Sequence, residues 1–558
     1  MRVPKRNVGP WARELIEECT VSQPMRRENI KLWKNYYLNG TETGDQARYN
    51  RCFGHIARLG SMLFSPADVR YDIELDQSED PNTMGIMSGG TRYLNREFTR
   101  CGVNLKFGGG IDWALVKGCT LVKMIWGHDG LEPHLVHPEF FGVLNETITD
   151  INHQEAMVHT TWMTKSSFKR TLIEHPERGE ILAELDKTMK PRNDDAFTDS
   201  YFHEILIGGT NPVSSTAGTA SATGTPGQSS VSANVPMLAA DVAKELVRVD
   251  ELWVMDDERQ DYTTIRIAEE DIVIEGRYKH RNLLADDANP FLEGEQPFRK
   301  IAPNDTDGYF WGMSELTQIA PLQDLLNGQL RDFNRLTTLK ADPPRAFIGF
   351  SGMTQEKYRT LKRRGGFMSE ETPTGKIETL APDIPPELLQ AIDKTLQMFD
   401  DVAGFTPVMA GMGEPGVRSN SQAQTLSRNS TPRMRNRALL VEHQCVDIGD
   451  LCLKMLQSKK ATVFKAEDGA VFTLADLPDD YRMTIDSHTS SPAFSEDSER
   501  KAFALARAGA IDHADLIMLT HPPHEDTLVA SARKRAAAEA KMIQEHPELL
   551  TKGKGKRK

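Results

Sequence analysis

The sequence predicts an α+β chain, mainly helical, and three observations carry that expectation. Apolar residues recur at steps of three and four along Ser314–Lys340, at Leu316, Ile319, Leu322, Leu326, Leu330 and Phe333. The same spacing returns in Pro385–Ala403, at Leu388, Leu389, Ile392, Leu396 and Phe399. That period puts them on one face of a helix. Runs rich in Val and Ile, Leu246–Met255 and Tyr262–Ile274, read as antiparallel strands, and Val69–Leu75 alternates as a half-buried one. At 558 residues the chain has room for roughly two to four domains and a sizeable core.

The N-terminal half reads as alternating helices and strands. Helices fit Arg26–Leu38 and Ala47–Phe64, the second closed by Pro66. A helix over Thr91–Phe107 should break at Gly108-Gly109-Gly110 and resume at Ile111–Lys117. Cys119–Trp126 and Leu131–Val136 form a hairpin around Asp129-Gly130, and Phe140–Leu144 is a further strand. Ser166–Met189 is helical and charged. The stretch 208–236 is Ser, Thr, Ala, Gly and Pro with almost no large apolar residue, so its composition predicts a disordered surface insertion.

The C-terminal half is organised by the two rods. Ser314 is a good N-cap for the first and Pro321 should bend it. At about 1.5 Å per residue it extends roughly 40 Å, and Asp342-Pro343-Pro344 stops it. Between the rods lie a strand near Phe347, a short basic helix over Thr354–Arg364, a Gly365-Gly366 turn and two more short strands. Gly404 ends the second rod. Phe405–Gln422 is rich in Gly and Pro and reads as a mobile loop. A third long helix, capped by Ser419 or Ser421, runs to about Gln457 with Pro432 as a kink. A hairpin over Thr462–Phe472, a strand over Tyr481–Ser487, and alanine-rich helices Ser498–Ala508 and Asp526–Gln544 follow, with a basic tail.

Composition narrows the function classes. The formal charge of −13 argues against a surface that grips nucleic acid all over, but not against one that lets it pass. No apolar run approaches the roughly 20 residues that cross a bilayer, so no membrane partner is expected. Met1–Gly9 is basic without a following apolar segment, so no signal peptide is expected. Cys19, Cys52, Cys101, Cys119, Cys445 and Cys452 form no CxxC and read as free thiols of a reducing cytosol. There is no GxxxxGK[ST] and no HExxH, and Gly108-Gly109-Gly110 lacks the GxGxxG spacing. His521-Pro522-Pro523-His524 reads as a turn between helices rather than a metal site. The expectation is a non-enzymatic protein with no cofactor and no metal.

Several short stretches stand in a telling order. They are Met62-Leu63-Phe64-Ser65-Pro66; Gly118 ahead of the strand-turn-strand Leu121–Val136; and Pro138-Glu139-Phe140. Then come Pro297-Phe298 and Gly308-Tyr309-Phe310-Trp311-Gly312-Met313-Ser314, which leads into the first rod with Leu325-Leu326-Asn327. In that order the chain resembles the portal protein, or head-to-tail connector, of tailed bacteriophages, and most resembles those of short-tailed phages. The resemblance covers most of the chain and rests on order, not on an invariant signature.

The resemblance implies a portal-type fold: an α/β wing over 1–300 and a wing-to-stem segment with the first stem helix over 301–341. A small α/β clip would be 342–383, a second stem helix 384–404 and a tunnel loop 405–421. A long kinked helix returning to the wing would be 422–495, and a helical crown with the basic tail 496–558. It implies a ring, a homododecamer, at one capsid vertex of the virion, assembled in the host cytoplasm. Double-stranded DNA would pass through the ring during packaging and ejection. The partners implied are the terminase motor, tail adaptor proteins, and capsid and scaffolding proteins. The rivals are another virion structural or adaptor protein, which the stem with its insert argues against, and a nucleic-acid-processing enzyme, which would need clustered metal ligands.

Candidate residues follow from these parts. Met409, Gly411, Met412 and Gly413 with Arg418 would face DNA, the methionines offering soft apolar contact without an ionic grip; the methionines packing under the wing is the alternative. Arg428, Arg433, Arg435 and Arg437 extend a basic stretch without intervening acid, near DNA, or else paired with a neighbouring subunit or exposed to solvent. Lys357, Arg359, Lys362, Arg363 and Arg364 would dock the motor or adaptor, or form a solvated face.

Overall fold

The computed structural model describes residues 1–4, 8–39, 49–67, 69–75, 81–127, 130–173, 175, 177–188, 246–269, 272–274, 291–348, 354, 356–359, 376–379, 383–403, 432–465, 471–478, 480–485, 502–520 and scattered residues of 528–538. In chain order the elements are α1 Val8–Thr20, α2 Gln23–Asn39, α3 Arg51–Leu63, β1 Tyr71–Leu75, α4 Pro81–Cys101, α5 Val103–Lys117, β2 Thr120–Gly127 and β3 Gly130–Val136. Then come β4 Phe141–Val143, β5 Ala156–Thr164, α6 Lys165–Thr171, α7 Arg178–Thr188, β6 Leu246–Asp256, β7 Asp261–Ala268, β8 Ile272–Val273 and β9 Phe298–Ile301. The last are α8 Leu316–Ala341, β10 Arg345–Ile348, β11 Lys376–Thr379, α9 Pro386–Ala403, α10 Pro432–Ser458, β12 Thr462–Lys465, β13 Val471–Thr473, β14 Tyr481–Ile485 and α11 His513–Thr520. The described chain is thus α+β and mainly helical. It divides into two compact units, one of Met1–Arg27, Leu59–Met313 and Thr431–Lys558, the other of Glu28–Arg58 and Ser314–Ser430.

The larger unit is built on a five-stranded antiparallel sheet, order β4-β5-β6-β7-β8. Its long strands bury residues on both faces, and polar ones among them are paired, Thr160 Oγ1 donating to Asp250 at 2.6 Å and Lys123 of β2 to Glu251 at 2.6 Å. On one face Ala156, Val158, Leu252, Val254, Ile265 and Ile267 meet Val8, Ala12, Leu15 and Ile16 of α1. On the other, Met157 and Trp253 join Phe141, Phe298 and Trp311, while Val247 and Val249 pack with Phe168 of α6, Leu172 just after it, and Ile181 and Leu185 of α7.

A second sheet, order β3-β2-β9, carries α5 on its surface. Here the expectation of a helix broken at Gly108-Gly109-Gly110 is corrected: the three glycines lie inside α5. They allow close approach. A Cβ on Gly110 would stand 2.7 Å from Ile301 Cδ1, and one on Gly108 2.8 Å from Pro66 Cγ. The break falls at Gly102, whose φ of 68° is left-handed and separates α4 from α5. The single helix expected over Ser166–Met189 is two, α6 and α7, separated by a turn that contains Leu172.

β1 pairs antiparallel with β14, Tyr71 opposite Ile485, although the two lie at opposite ends of the sequence. The other edge of β1 is covered by α4: Asn95 accepts from Tyr71 N (3.1 Å) and donates to Tyr71 O (2.8 Å), and Thr91 Oγ1 accepts from Ile73 N (3.1 Å). Side chains thus satisfy an edge that would otherwise attract a strand. α10 lies beneath, with Gly449 against the Tyr71 ring and Cys445 Sγ 2.8 Å from its hydroxyl. Pro432 is the first residue of α10, where its missing N–H costs nothing; the part of the third helix expected before it lies outside the described residues.

The smaller unit holds α8 and α9, joined through the hairpin β10–β11 with Arg345 opposite Thr379. The two helices run antiparallel: Lys340 reaches Asp383 (3.7 Å) and Thr395 Oγ1 donates to Gln329 Oε1 (3.0 Å); the Phe399 ring lies tilted, 6.5 Å from that of His55, itself 3.5 Å from Glu315. Ser314 Oγ accepts from Leu316 N at 3.1 Å, but the residue at the N-cap of α8 is Glu315, not the serine expected, and its side chain makes no capping hydrogen bond. Pro321 sits inside α8. Gln323, fully buried, fixes the incoming chain by accepting from Arg51 N and donating to Tyr49 O, each at 3.0 Å. Past Leu326 no residue of α8 is buried.

Candidate functional site

Most residues singled out as facing DNA or docking a partner lie outside the described residues: Met409, Gly411, Met412, Gly413, Arg418, Arg428, Lys362, Arg363 and Arg364. Lys357 and Arg359 stand exposed on a helical stretch over 356–359. Arg433, Arg435 and Arg437 lie in the first turns of α10, with Arg435 exposed and Arg437 partly buried.

It does bring together the short stretches that were telling by their order. Gly118, at φ 97°, ends α5, and a Cβ there would stand 2.7 Å from Trp311 O; a Cβ on Gly312 would stand 2.9 Å from Gly118 O. The two glycines are the only way these backbones approach so closely. Beside them Lys117 Nζ donates to Glu139 of the Pro138-Glu139-Phe140 turn, both side chains wholly buried. Burial acts to raise the Glu139 pKa, but the charge and hydrogen bond of Lys117 outweigh it and hold the carboxyl below its ordinary range.

A second clamp closes on Trp311. The Arg26 guanidinium lies 3.5 Å from the centroid of the indole, donates to Phe141 O (2.9 Å) and pairs with Glu146 (3.1 Å). Trp311 Nε1 donates to the same carboxylate at 2.7 Å. Phe310 N donates to Glu146 O (2.8 Å), Met313 N to Asn304 O (3.0 Å), and Lys300 Nζ to Thr149 O (2.8 Å) and Asp305 (2.9 Å). Gln444 of α10 makes a paired contact with Ala302, accepting from its N–H (3.0 Å) and donating to its carbonyl (3.1 Å). Residues 302–313, the stretch that precedes α8, are thus pinned from four sides. At this node the charges are paired with one another.

The resemblance singled out Gly118, Glu139, Trp311 and Gly312, but not their partners Lys117, Arg26 and Glu146. A signal was present for Lys117, a lone cation at the end of the apolar run Ala114-Leu115-Val116.

One polar cavity, about 270 Å³, lies between β9 and α10, lined by Asn152, Glu295, Arg299, Asp447, Asp450 and Lys454 among others. Arg299 pairs with Glu295 (2.8 Å) and Lys454 with Asp450 (3.0 Å), so ion pairs fill its chemistry. Burial pushes the Asp447 carboxyl up. Cys19, Cys52, Cys119 and Cys445 are pushed up to about 12 by burial, far from the reactive thiolate range. Among the described residues no group of three or more His, Cys, Asp or Glu is placed to hold a metal, and no helix is long and apolar enough to cross a membrane.

No family model matches the sequence, and no curated protein matches it. Among solved structures, a chain from the virion of a native gene transfer agent particle is 11% identical, covering 89% of this chain and 94% of that one, at a TM-score of 0.39. A chain from the neck of an empty particle of that kind, obtained with C6 symmetry, is also 11% identical, covering 85% and 90%, at 0.38. Overlays this loose carry no argument about fold or function.

Proposed function

We propose that this chain is one subunit of a portal-type ring through which double-stranded DNA enters and leaves a phage-like particle. The observation that carries the proposal is the module α8–β10–β11–α9. A rod of 26 residues, about 39 Å long, folds back through a β-hairpin into a second helix. Alone, this pair leaves Leu325, Leu389 and Met398 on its helices and Ile348 on its hairpin exposed, at 37–50% of their surface. Apolar flanks on a narrow rod call for neighbours on both sides. A heterologous contact repeated about an axis closes into a ring. The sequence resemblance supplies the kind of ring.

In this reading 1–300 is the wing, α8 and α9 are the stem, 342–383 the clip, 405–421 the tunnel loop and 496–558 the crown. The node around Gly118, Glu139, Trp311 and Gly312 fixes the chain where wing hands over to stem. The clip, with Lys357, Arg359, Lys362, Arg363 and Arg364, receives the terminase motor and later a tail adaptor. Met409, Gly411, Met412 and Gly413 with Arg418 line the DNA path, and ATP hydrolysis belongs to the motor. The test is removal of Met409–Gly416: rings form as before, while DNA packaging or retention falls. Unchanged packaging would sink the assignment of the loop.

A further inference from the structure

α4 carries an exposed row of arginines. Arg92, Arg96 and Arg100 recur at i, i+4 and i+8 on the face opposite the buried Leu94 and Phe98. The other exposed residues on that side, Ser88 and Thr99, bear hydroxyls. Glu97 is the only acid in the helix, and it is bound to Arg100 at 2.8 Å. Arg92 donates only to the Ser88 carbonyl of its own helix (3.3 Å), and Arg96 makes no hydrogen bond or ion pair among the described residues. A solvated helix face ordinarily mixes signs at this spacing. In a chain of net charge −13, a row that does not is segregated charge.

We propose that this face of α4 is a contact for the phosphate backbone of duplex DNA. Successive arginines advance about 6 Å along the helix, against about 3.4 Å of duplex axis per phosphate of one strand. Arg92 and Arg96, the two of the row not paired with a carboxylate, are therefore spaced for alternate phosphates. Guanidinium matches phosphate bidentately, which an ammonium does not. Contacts of this kind carry no base sequence, so binding is general and sensitive to salt. The inference adds a second DNA surface to the proposed ring subunit without depending on ring closure.

The experiment uses the full chain and a short labelled duplex, with fluorescence anisotropy read over a salt titration and oligomeric state read in parallel by mass photometry. For Arg92→Gln/Arg96→Gln, affinity at low salt should fall about tenfold, and the slope of log K against log salt should shrink by about two, near 0.9 per lost contact. Arg92→Lys/Arg96→Lys should keep most of the slope. The single Arg96→Gln, a fully surface change, should lower it by about one and guards against misfolding of the double variant. Unchanged affinity and slope in the Gln variants overturns the proposal. So does a loss of assembly with DNA affinity intact, which would assign the row to an acidic surface of a second copy. A wild-type protein that stays monomeric yet loses salt-dependent binding in the variants would leave this inference standing and the ring reading fallen.

Discussion

Single side chains decide how tightly the larger unit is held. Lys117 and Glu139 are buried together, so removing one leaves a charge without its counter-ion in a low-dielectric interior. Lys117→Met is expected to cost about 3–5 kcal/mol, whereas Lys117→Met with Glu139→Leu should recover much of it. Chemical denaturation of the two variants reads the difference, and equal losses would contradict the pairing. Asp112 is the opposite case. Its carboxylate oxygen lies against Gly60, where a Cβ would stand 2.0 Å away, and burial pushes its pKa up to about 6. A raised carboxylate opposes folding when ionised: the penalty is absent below about pH 4, the unfolded value, grows through about pH 6 and is complete above it. Asp112→Asn should therefore stabilise the protein by about 1 kcal/mol near pH 7.5, allowing for partial exposure, and the gain should vanish near pH 4. Melting curves at both pH values check it; a gain that does not depend on pH would point to packing instead.

At the scale of elements, much of the fold is legible in the sequence. The rods α8 and α9 fall where a 3.6-residue period places them, and the strands β2, β3, β6 and β7 where apolar runs do. The glycine triplet is misread for a physical reason. Locally three glycines disfavour a helix, but here the missing side chains let α5 lie on Ile301 and Pro66, a tertiary gain invisible along the chain. The pairing of β1 with β14 is equally illegible, since neither strand carries a mark of its partner. α1 falls where the sequence reading places no element, although Val8, Ala12, Leu15, Ile16 and Cys19 have helical spacing. The node was half legible: the resemblance gave its glycines, Glu139 and Trp311, and only the fold gives Lys117, Arg26 and Glu146. The proposed tunnel loop lies outside the described residues, so its residues remain assigned by resemblance alone. For the clip, neutralising Arg359, Lys362, Arg363 and Arg364 together should weaken binding of the packaging motor or adaptor roughly tenfold or more while ring assembly persists. Undiminished docking in a pull-down would return these residues to a solvated face.

On the scale of the whole molecule, the two units divide the work. One has a deep core of two sheets with helices and fixes residues 302–313 from several sides. The other holds α8, α9, the β10–β11 hairpin and residues 28–58, and leaves Leu325, Leu389, Met398 and Ile348 exposed. In the proposed ring, neighbouring copies would cover these residues without leaving an open end. The acidic net charge is compatible with the proposed conduit, which must not hold its cargo, with cationic contacts confined to particular faces. The most direct test is negative-stain imaging of the purified protein across a concentration series. Closed rings with a central channel wide enough for a DNA duplex are expected; monomers alone at the highest concentration, under conditions that favour assembly, would contradict the reading of this chain as one stave of a ring.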